Sequence, residues 1–473
     1  METEESAPRV VRLVGLVGGP IGACIAYLAL HATAGHAQAT VTALLVLMAT
    51  WWLTLAVDMA VTALLPAIVL PLLGVTTFAQ ASSPYADEVI FFFGAGFVLS
   101  RALERYGLSL LFAETLLRAA GSRATRVIGA LMLATACISA FVSNTATAAA
   151  MLPIALSLGG AVGGNDETAR RRVVAAAVLG VAYAASIGGG LTMLGSPPNM
   201  IAVDFVRKSS GVDPTFVEWL GYGVPIVGVL LPLAWFTLVR VVFPIGNVSL
   251  AAPTAARREL PRGAKRVLLI FCLLVAAWLS RPLWSARLPV LTDALIAVAG
   301  ALLLFTVPRT VRPFSPLVEW RQIADLPWGV LVLFGGGLSL ANAITQTGVA
   351  ASLAHAMAPI GALPIVLVVA AVVTTTCFAS EIASNTALTA AAMPLVGAIA
   401  ATTGAPIAPL AIAAALGASM AFMLPVGTPP NALAFATGHV RSGEMARAGI
   451  ILNLVSVLVI TGVCTIALSY AAR

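Results

Sequence analysis

The sequence predicts an all-α polytopic membrane protein with about eleven crossing helices and two re-entrant helical hairpins, arranged as an inverted repeat. Three observations predict it. The 473 residues are 60% hydrophobic and only 10% charged, with a mean hydropathy of +1.01, which leaves too little charge to cover a water-soluble globule. The apolar runs are continuous and close to the roughly 20 residues that cross a hydrocarbon core, unlike the alternating strands of a barrel. Finally, one short polar word is written twice, as "SNTATAAAMLPIA" at residues 143–155 and "SNTALTAAAMPLV" at residues 384–396.

Taken in order, crossing helices are expected near residues 11–30, 40–57, 59–74 and 88–105. The opening "METEESAPRVVRLVGLV" turns from acidic to basic to apolar without a cleavage pattern, so the first span reads as retained. Residues 127–160 are apolar but interrupted halfway by Ser143-Asn144-Thr145. That length is long for one crossing and short for two with a loop, so it reads as a hairpin that enters the membrane and returns to the same side. Spans near 173–206, 218–243, 266–280, 289–307 and 327–347 follow, then a second hairpin at 363–402, then spans near 406–437 and 448–470.

Charge assigns the sides. Arg118, Arg123 and Arg126 precede the first hairpin and Arg170, Arg171 and Arg172 follow it, so both of its ends are expected in the cytoplasm. No Lys or Arg lies between Arg321 and Arg441, so the flanks of the second hairpin are expected outside. Two further clusters, Arg257, Arg258, Arg262, Lys265 and Arg266, then Arg309, Arg312 and Arg321, alternate correctly to the cytoplasm. The amino terminus then lies inside and the carboxyl terminus outside. The repeat itself is longer than its tips. "FGAGFVLSRALERYGLS" from Phe93 matches "FGGGLSLANAITQTGVA" from Phe334, and both this pair and the Ser143/Ser384 pair are 241 residues apart. "GSPPN" at Gly195 pairs with "GTPPN" at Gly427 at a spacing of 232. A duplicated unit inserted in opposite orientations accounts for these matches and for the charge reversal, and it is the usual plan of secondary transporters.

Other classes fit less well. Cys24, Cys137, Cys272, Cys377 and Cys464 are scattered singly, without disulfide or zinc spacing. The excess of 26 Lys+Arg over 19 Asp+Glu is explained by basic cytoplasmic loops and does not call for nucleic acid. There is no His-Glu-x-x-His, Gly-x-Ser-x-Gly or phosphate-gripping loop to support an intramembrane enzyme. A channel is disfavoured because paired closed tips suit alternating access. Asp58 reads as a helix end at the interface, and His31, His36, His355 and His439 as loop residues. "RYGLSLLFAETLLRAAG" and "TGVAASLAHAMAPIG" read as amphipathic interfacial helices leading into the hairpins.

The repeated words carry the chemistry. A helix that starts after a hairpin turn presents unpartnered N–H groups and roughly half a positive charge. Ser143, Asn144 and Thr145 are cap residues, and the Ala-rich run behind them is a strong helix former. Such a tip binds an anion, while its hydroxyl and amide oxygens suit Na⁺, each charge easing the other's desolvation. A buried cap without a ligand is the alternative. Pro197-Pro198 and Pro429-Pro430 remove backbone donors and break a helix at membrane depth. The carbonyls of Gly195 and Gly427 then become cation ligands, and the hydroxyls of Ser196 and Thr428 substrate contacts; a plain kink is the alternative.

With these words, and with "SMAFMLPVGTPPNAL" at Ser419, nearly the whole chain resembles the divalent anion:Na⁺ symporter family, carriers of dicarboxylates, citrate or sulfate. The resemblance implies one sodium site from Ser139, Ser143, Asn144 and the Gly195 carbonyl, and a mate from Ser380, the Ala383 carbonyl, Asn385 and the Gly427 carbonyl. It implies substrate carboxylates held by Asn144, Thr145, Asn385 and Thr386, with Ser196 and Thr428 beside them. Glu381 fits the family as well, either tuning the second sodium site or anchoring a helix through hydrogen bonds; Ala434 stands where many relatives have a β-branched residue. A homodimeric elevator is implied, with scaffold parts at 1–126 and 244–362 and mobile transport parts at 127–243 and 363–473. The expected activity is import of a small dicarboxylate (succinate, malate or fumarate) by Na⁺ symport across a bacterial inner membrane. Bringing in a dianion against 100 mV costs roughly 4.6 kcal/mol, which two Na⁺ cancel and a third overcomes. Na⁺-independent exchange and carriage of sulfate or a tricarboxylate on the same fold are the alternatives.

Overall fold

The computed structural model describes residues 9–163, 166–211, 214–251 and 260–471, so Arg257, Arg258 and the carboxyl-terminal residues 472–473 lie outside the described residues. Apolar runs punctuated by Gly and Pro fold into helices in chain order. α1 (Arg9–Ala34) and α2 (His36–Thr54) pack along each other, and the contact is close because Gly15 and Gly19 face Thr54 and Trp51. A Cβ at Gly19 would sit 2.7 Å from the Trp51 indole nitrogen. Short helices α3 (Met59–Thr62), α4 (Leu65–Leu72) and α5 (Phe78–Ser82) follow, and Asp58 caps α3 by accepting from the Ala60 and Val61 N–H groups. α6 (Glu88–Arg105) and α7 (Leu108–Ala119) lead to the first hairpin, α8 (Ala124–Ser139) and α9 (Asn144–Ala161). Then come α10 (Glu167–Gly189), α11 (Pro197–Ser210) and α12 (Phe216–Phe236), the last running on into a π-helical turn.

The second half repeats that order. α13 (Ala264–Trp284) and α14 (Asp293–Thr306) are followed by a short antiparallel ribbon, β1 (Pro308–Thr310) with β2 (Ser315–Pro316), which the sequence did not suggest. α15 (Trp328–Gln346) and α16 (Val349–Ala356) precede the second hairpin, α17 (Ile365–Ala379) and α18 (Asn385–Thr403). α19 (Ile407–Ser419), α20 (Pro429–Ala436) and α21 (Ser442–Ala471) complete the chain.

Among the described residues, eight helices are long and apolar enough to cross a membrane, against the expectation of about eleven. The difference has a physical origin. The expected span at 406–437 is broken into two short helices at its Pro-Pro word, that at 173–206 is broken likewise but keeps the long α10, and the hairpin limb α18 counts among the eight. The expected spans at 59–74 and 289–307 are short or interrupted, and α6 carries Glu88, Arg101, Glu104 and Arg105. The histidines need correction too. His31 ends α1, His36 begins α2 and His355 lies in α16, so only His439 of the four is in a loop. His36 is tied down by the Tyr27 hydroxyl at 2.9 Å and the Leu73 carbonyl at 2.8 Å.

The core is centred on α10 and α19. All of Val173–Gly189 is buried, as is Pro409–Ser419. Ala and Gly make these helices thin, so hairpin limbs approach closely: α10 packs against α8 and α9, and α19 against α17 and α18. The two halves also interlock, with α10 and α9 against α20, α11 against α18 and α19, and α12 against α21. Leucines on α13, including Leu269, Leu273 and Leu283, point outward, as expected of a surface wetted by lipid.

Candidate functional site

Each half places its hairpin tip against an interrupted helix. In the first half, α8 ends at Ser139, the chain turns through Ala140–Val142, and α9 starts with Ser143 as its cap, the hydroxyl accepting from the Ala146 N–H at 3.2 Å. Facing this turn, α10 stops at Gly189 and α11 begins at Pro197, leaving an irregular strand of backbone between them. The glycines are there because the approach is tight. A Cβ on Gly188 would lie 2.3 Å from the Ala136 carbonyl oxygen, and one on Gly189 would lie 2.4 Å from Oδ1 of Asn144. The Thr192 hydroxyl donates to the Ala140 carbonyl and joins the break to the turn.

Oxygens converge here. The Ser139 hydroxyl, fully buried, lies 2.7 Å from the Ala185 carbonyl and 2.7 Å from the Asn144 amide. One hydroxyl proton cannot serve two acceptors. With its nitrogen turned inward, the Asn144 amide has three acceptors in reach of its two hydrogens: Ser139 Oγ at 2.7 Å, the Ala185 carbonyl at 3.1 Å and the Gly195 carbonyl at 3.3 Å. With its oxygen inward, the same geometry gathers an amide oxygen, a hydroxyl oxygen and two carbonyl oxygens, a ligand set for a hard monovalent cation. Ser139, Asn144 and Gly195 are thus brought together, with the Ala185 carbonyl as an unforeseen fourth member. Ser143 is exposed and occupied as a helix cap.

The second half is built on different bonds. Ser380 is also fully buried, but its hydroxyl donates back to the Cys377 carbonyl at 2.8 Å. Asn385 Oδ1 is buried without a hydrogen-bond partner. Ser384 caps nothing with its side chain and leans on Met59 Sδ of α3 at 3.8 Å. Among the described residues, no hydrogen bond joins Ser380, Ala383, Asn385 and Gly427 to one another. Glu381 organises this side instead. Its carboxylate accepts from the N–H groups of Phe422 (2.8 Å), Met423 (2.9 Å) and Leu424 (2.9 Å), and from Asn453 Nδ2 of α21 at 2.7 Å. Of the two readings of Glu381, the helix anchor is the one this bonding matches: the carboxylate supplies the acceptors that the unwound backbone has lost.

The substrate candidates sit at helix starts. Thr145 and Thr386 occupy the first turns of α9 and α18, half-buried, where N–H groups lack intrahelical acceptors. Ser196 and Thr428 are the N-caps of α11 and α20, both buried, and Thr428 accepts from the Asn431 N–H at 3.3 Å. α9 also borders α20, and α18 borders α11, so the second limb of each hairpin packs against the broken helix of the other half.

Several partners were missed. Asn199 and Asn431, quoted within their words but given no task, bridge the two breaks. Asn199 donates to the Gly189 and Thr192 carbonyls at 2.8 and 2.9 Å, and Asn431 to those of Ala421 and Leu424 at 3.1 and 3.2 Å. Their presence in both copies was the available signal. Asn453, a polar residue inside a long apolar helix, was another. The Ala185 carbonyl gave none. Tyr183 and Trp219 seal the two breaks from the side, through the Phe422 carbonyl (2.9 Å) and the Gly190 carbonyl (3.1 Å) respectively.

Comparison with known proteins agrees with this architecture. The family model described as "Citrate transporter" matches residues 43–417. The sodium-dependent dicarboxylate transporter SdcS of Staphylococcus aureus (strain USA300) is 32% identical over 467 residues, covering 95% of this chain and 90% of that protein. The protein of the same name from strain MSSA476 matches to the same extent. In fold alone, the crystal structure of the Alcanivorax borkumensis YdaH transporter superposes with a TM-score of 0.60 at 16% identity, covering 84% of this chain and 88% of that one. This chain is therefore a polytopic membrane transporter and not an enzyme, and it belongs to the citrate transporter family, in line with its resemblance to the divalent anion:Na⁺ symporters.

Proposed function

We propose that the protein imports a small dicarboxylate, such as succinate, malate or fumarate, by symport with Na⁺ across the bacterial inner membrane. The observation that carries this reading is the acceptor cluster of Ser139, Asn144, Ala185 and Gly195 at the start of α9. A cation in that cluster lies beside the positive end of a helix, so the pair presents a carboxylate with two sources of attraction and no buried lysine or arginine. Without Na⁺, the Asn144 amide turns its nitrogen inward and closes the cluster on itself, which makes anion binding depend on the ion. Ser380, Ala383, Asn385 and Gly427 form the second sodium site when Asn385 Oδ1, which has no partner of its own, takes the ion. The substrate is held by Asn144, Thr145, Asn385 and Thr386, flanked by Ser196 and Thr428.

The two halves act as an inverted repeat, with the amino terminus inside and the carboxyl terminus outside. Residues 127–243 and 363–473 travel together as the transport domain of an elevator, while 1–126 and 244–362 form the scaffold of a homodimer. The interlocking of α9–α11 with α18–α20 supports a single moving unit. Uptake of labelled succinate into proteoliposomes tests the reading. An imposed Na⁺ gradient should drive accumulation, and K⁺ or choline should not. Uptake that persists in choline and is stimulated by internal succinate would replace symport with exchange.

A further inference from the structure

A cavity lies away from the tips, where α6 ends and α13 begins. It measures about 550 Å³ and is lined by Arg105, Tyr106, Pro261, Arg262, Arg309 and Thr310. Three arginines therefore border one space, and among the described residues its lining includes no carboxylate. Among the described residues none of the three arginines forms a salt bridge. Like charges gathered this way repel each other, so an unliganded cluster is a cost that a bound anion removes.

The surroundings are built. The Tyr106 hydroxyl donates to the Leu317 carbonyl at 2.9 Å and fixes the end of α6 against the ribbon region. Burial pushes that hydroxyl above its usual range, although Arg309 and Arg105 pull the other way. Gly263 has a φ of +97°, and a Cβ there would lie 2.9 Å from Leu317, 3.1 Å from Tyr106 and 3.3 Å from Arg309, so only glycine turns this corner. Gly263 is also the N-cap of α13; the Ala264 N–H donates to the Pro261 carbonyl and the Arg266 and Val267 N–H groups to the Gly263 carbonyl, so what this 21-residue helix adds near the same region is the positive end of its dipole. From there, Leu268, Leu269, Leu273, Leu279 and Leu283 run exposed along α13.

We propose that this cavity binds the phosphate of an anionic phospholipid, whose acyl chains lie along the exposed leucines of α13. The arginines and the positive dipole end of α13 match the phosphate, and a free phosphate offers the same headgroup chemistry. The leucine face beginning one turn away is what selects the lipid, since a soluble anion has no use for it. The inference rests on α13 being a membrane helix and is independent of which substrate is carried.

Native mass spectrometry of the detergent-purified protein tests it, with phosphatidylglycerol and phosphatidylcholine as competing probes and inorganic phosphate in a separate thermal-shift arm. The wild type should retain phosphatidylglycerol at least about tenfold over phosphatidylcholine. Arg262→Gln with Arg309→Gln should remove that preference, whereas Arg101→Gln, at an exposed i,i+3 pair with Glu104, should keep it. Circular dichroism and gel-filtration elution confirm that the variants are folded. Equal retention of the two lipids, or full retention by the double variant, would overturn the proposal. Stabilisation by millimolar phosphate with no preference among the lipids would also overturn it and assign the cavity to a soluble anion. Succinate uptake is a separate readout, so loss of symport would leave this result unaffected.

Discussion

Asn199 and Asn431 do the same work at equivalent points of the two halves: each side-chain nitrogen donates to the carbonyls ten and seven residues before it. Each amide thus bridges the gap left where Pro-Pro ends one helix and starts another, and holds the broken backbone open at a fixed width.

Replacing either asparagine should therefore destabilise the fold. Asn199→Ala and Asn431→Ala each leave two buried carbonyls without a donor, a loss of about 2 kcal/mol. Asn199→Asp should be at least as damaging, because a carboxylate would face two carbonyl oxygens. Thermal unfolding in detergent reads the order directly. A variant with an unshifted midpoint would show that the break keeps its shape without the bridge.

At the tips, loss of function should come without loss of fold. In the proposed site, Asn144→Ala and Asn385→Ala each remove a group assigned to both the ion and the anion, so succinate uptake should fall to background while gel-filtration elution stays that of the wild type. Near wild-type uptake by either variant would count against a site shared by the two tips.

Coupling should show itself in the sodium dependence. Uptake should rise with external Na⁺ with a Hill coefficient above one, and Ser139→Ala should weaken apparent Na⁺ affinity more than it lowers the maximal rate. The serine contributes an oxygen to the cluster and none to the anion. A variant with unchanged Na⁺ affinity and a reduced maximal rate would assign Ser139 to the helix and not to the ion.

The contact between α11 and the start of α6 gives a pH prediction. Arg207 pairs with Asp87, with Glu88 at 3.9 Å and with Asp204 at 3.4 Å, while Lys208 lies 3.7 Å from Asp87 and 4.0 Å from Asp204. Burial alone would raise the Asp87 carboxyl, but the Val89 N–H, Arg207 and Lys208 outweigh it and hold it below the ordinary aspartate value. A depressed carboxylate adds stability that is fully present above its unfolded value near about 4 and is lost as pH falls through the folded value. Asp87→Asn should thus lower the unfolding temperature at pH 7, with the gap to the wild type closing below about pH 4. A gap that persists in acid would point to packing in place of charge.

Orientation can be read by cysteine accessibility. Ala356→Cys should react with a membrane-impermeant maleimide added outside, and Asn165→Cys, just beyond the described residues, only after permeabilisation. Reaction of both from one side would remove the inverted arrangement.

Much of this was legible in the sequence because it is written in residues with few structural alternatives. Pro-Pro after Gly-Ser or Gly-Thr breaks a helix wherever it falls, and the structure breaks α10 from α11 and α19 from α20 at those words. Ser-Asn-Thr before an Ala-rich run starts a helix, and α9 and α18 start there. Two things were hidden. The subdivision of the spans was hidden because hydropathy does not distinguish one long helix from two short helices joined by irregular backbone. The Ala185 carbonyl failed because a main-chain oxygen leaves no mark on the side-chain alphabet; only the tertiary approach of α10 to the Asn144 turn reveals it.

Glu381 has a mechanical consequence. One carboxylate, three residues ahead of Ser384, fastens residues 422–424 and reaches Asn453 of α21, and Gly449 of the same helix lies so close to Met423 that a Cβ would sit 2.4 Å from its Cα. The end of α17, the unwound backbone and α21 are therefore riveted into one piece, with no slack between them. A displacement of the second tip would carry α21 with it. The chain enters that piece through the 3₁₀ turn Ala358–Ala362 between α16 and α17, whose residues are all at least partly exposed.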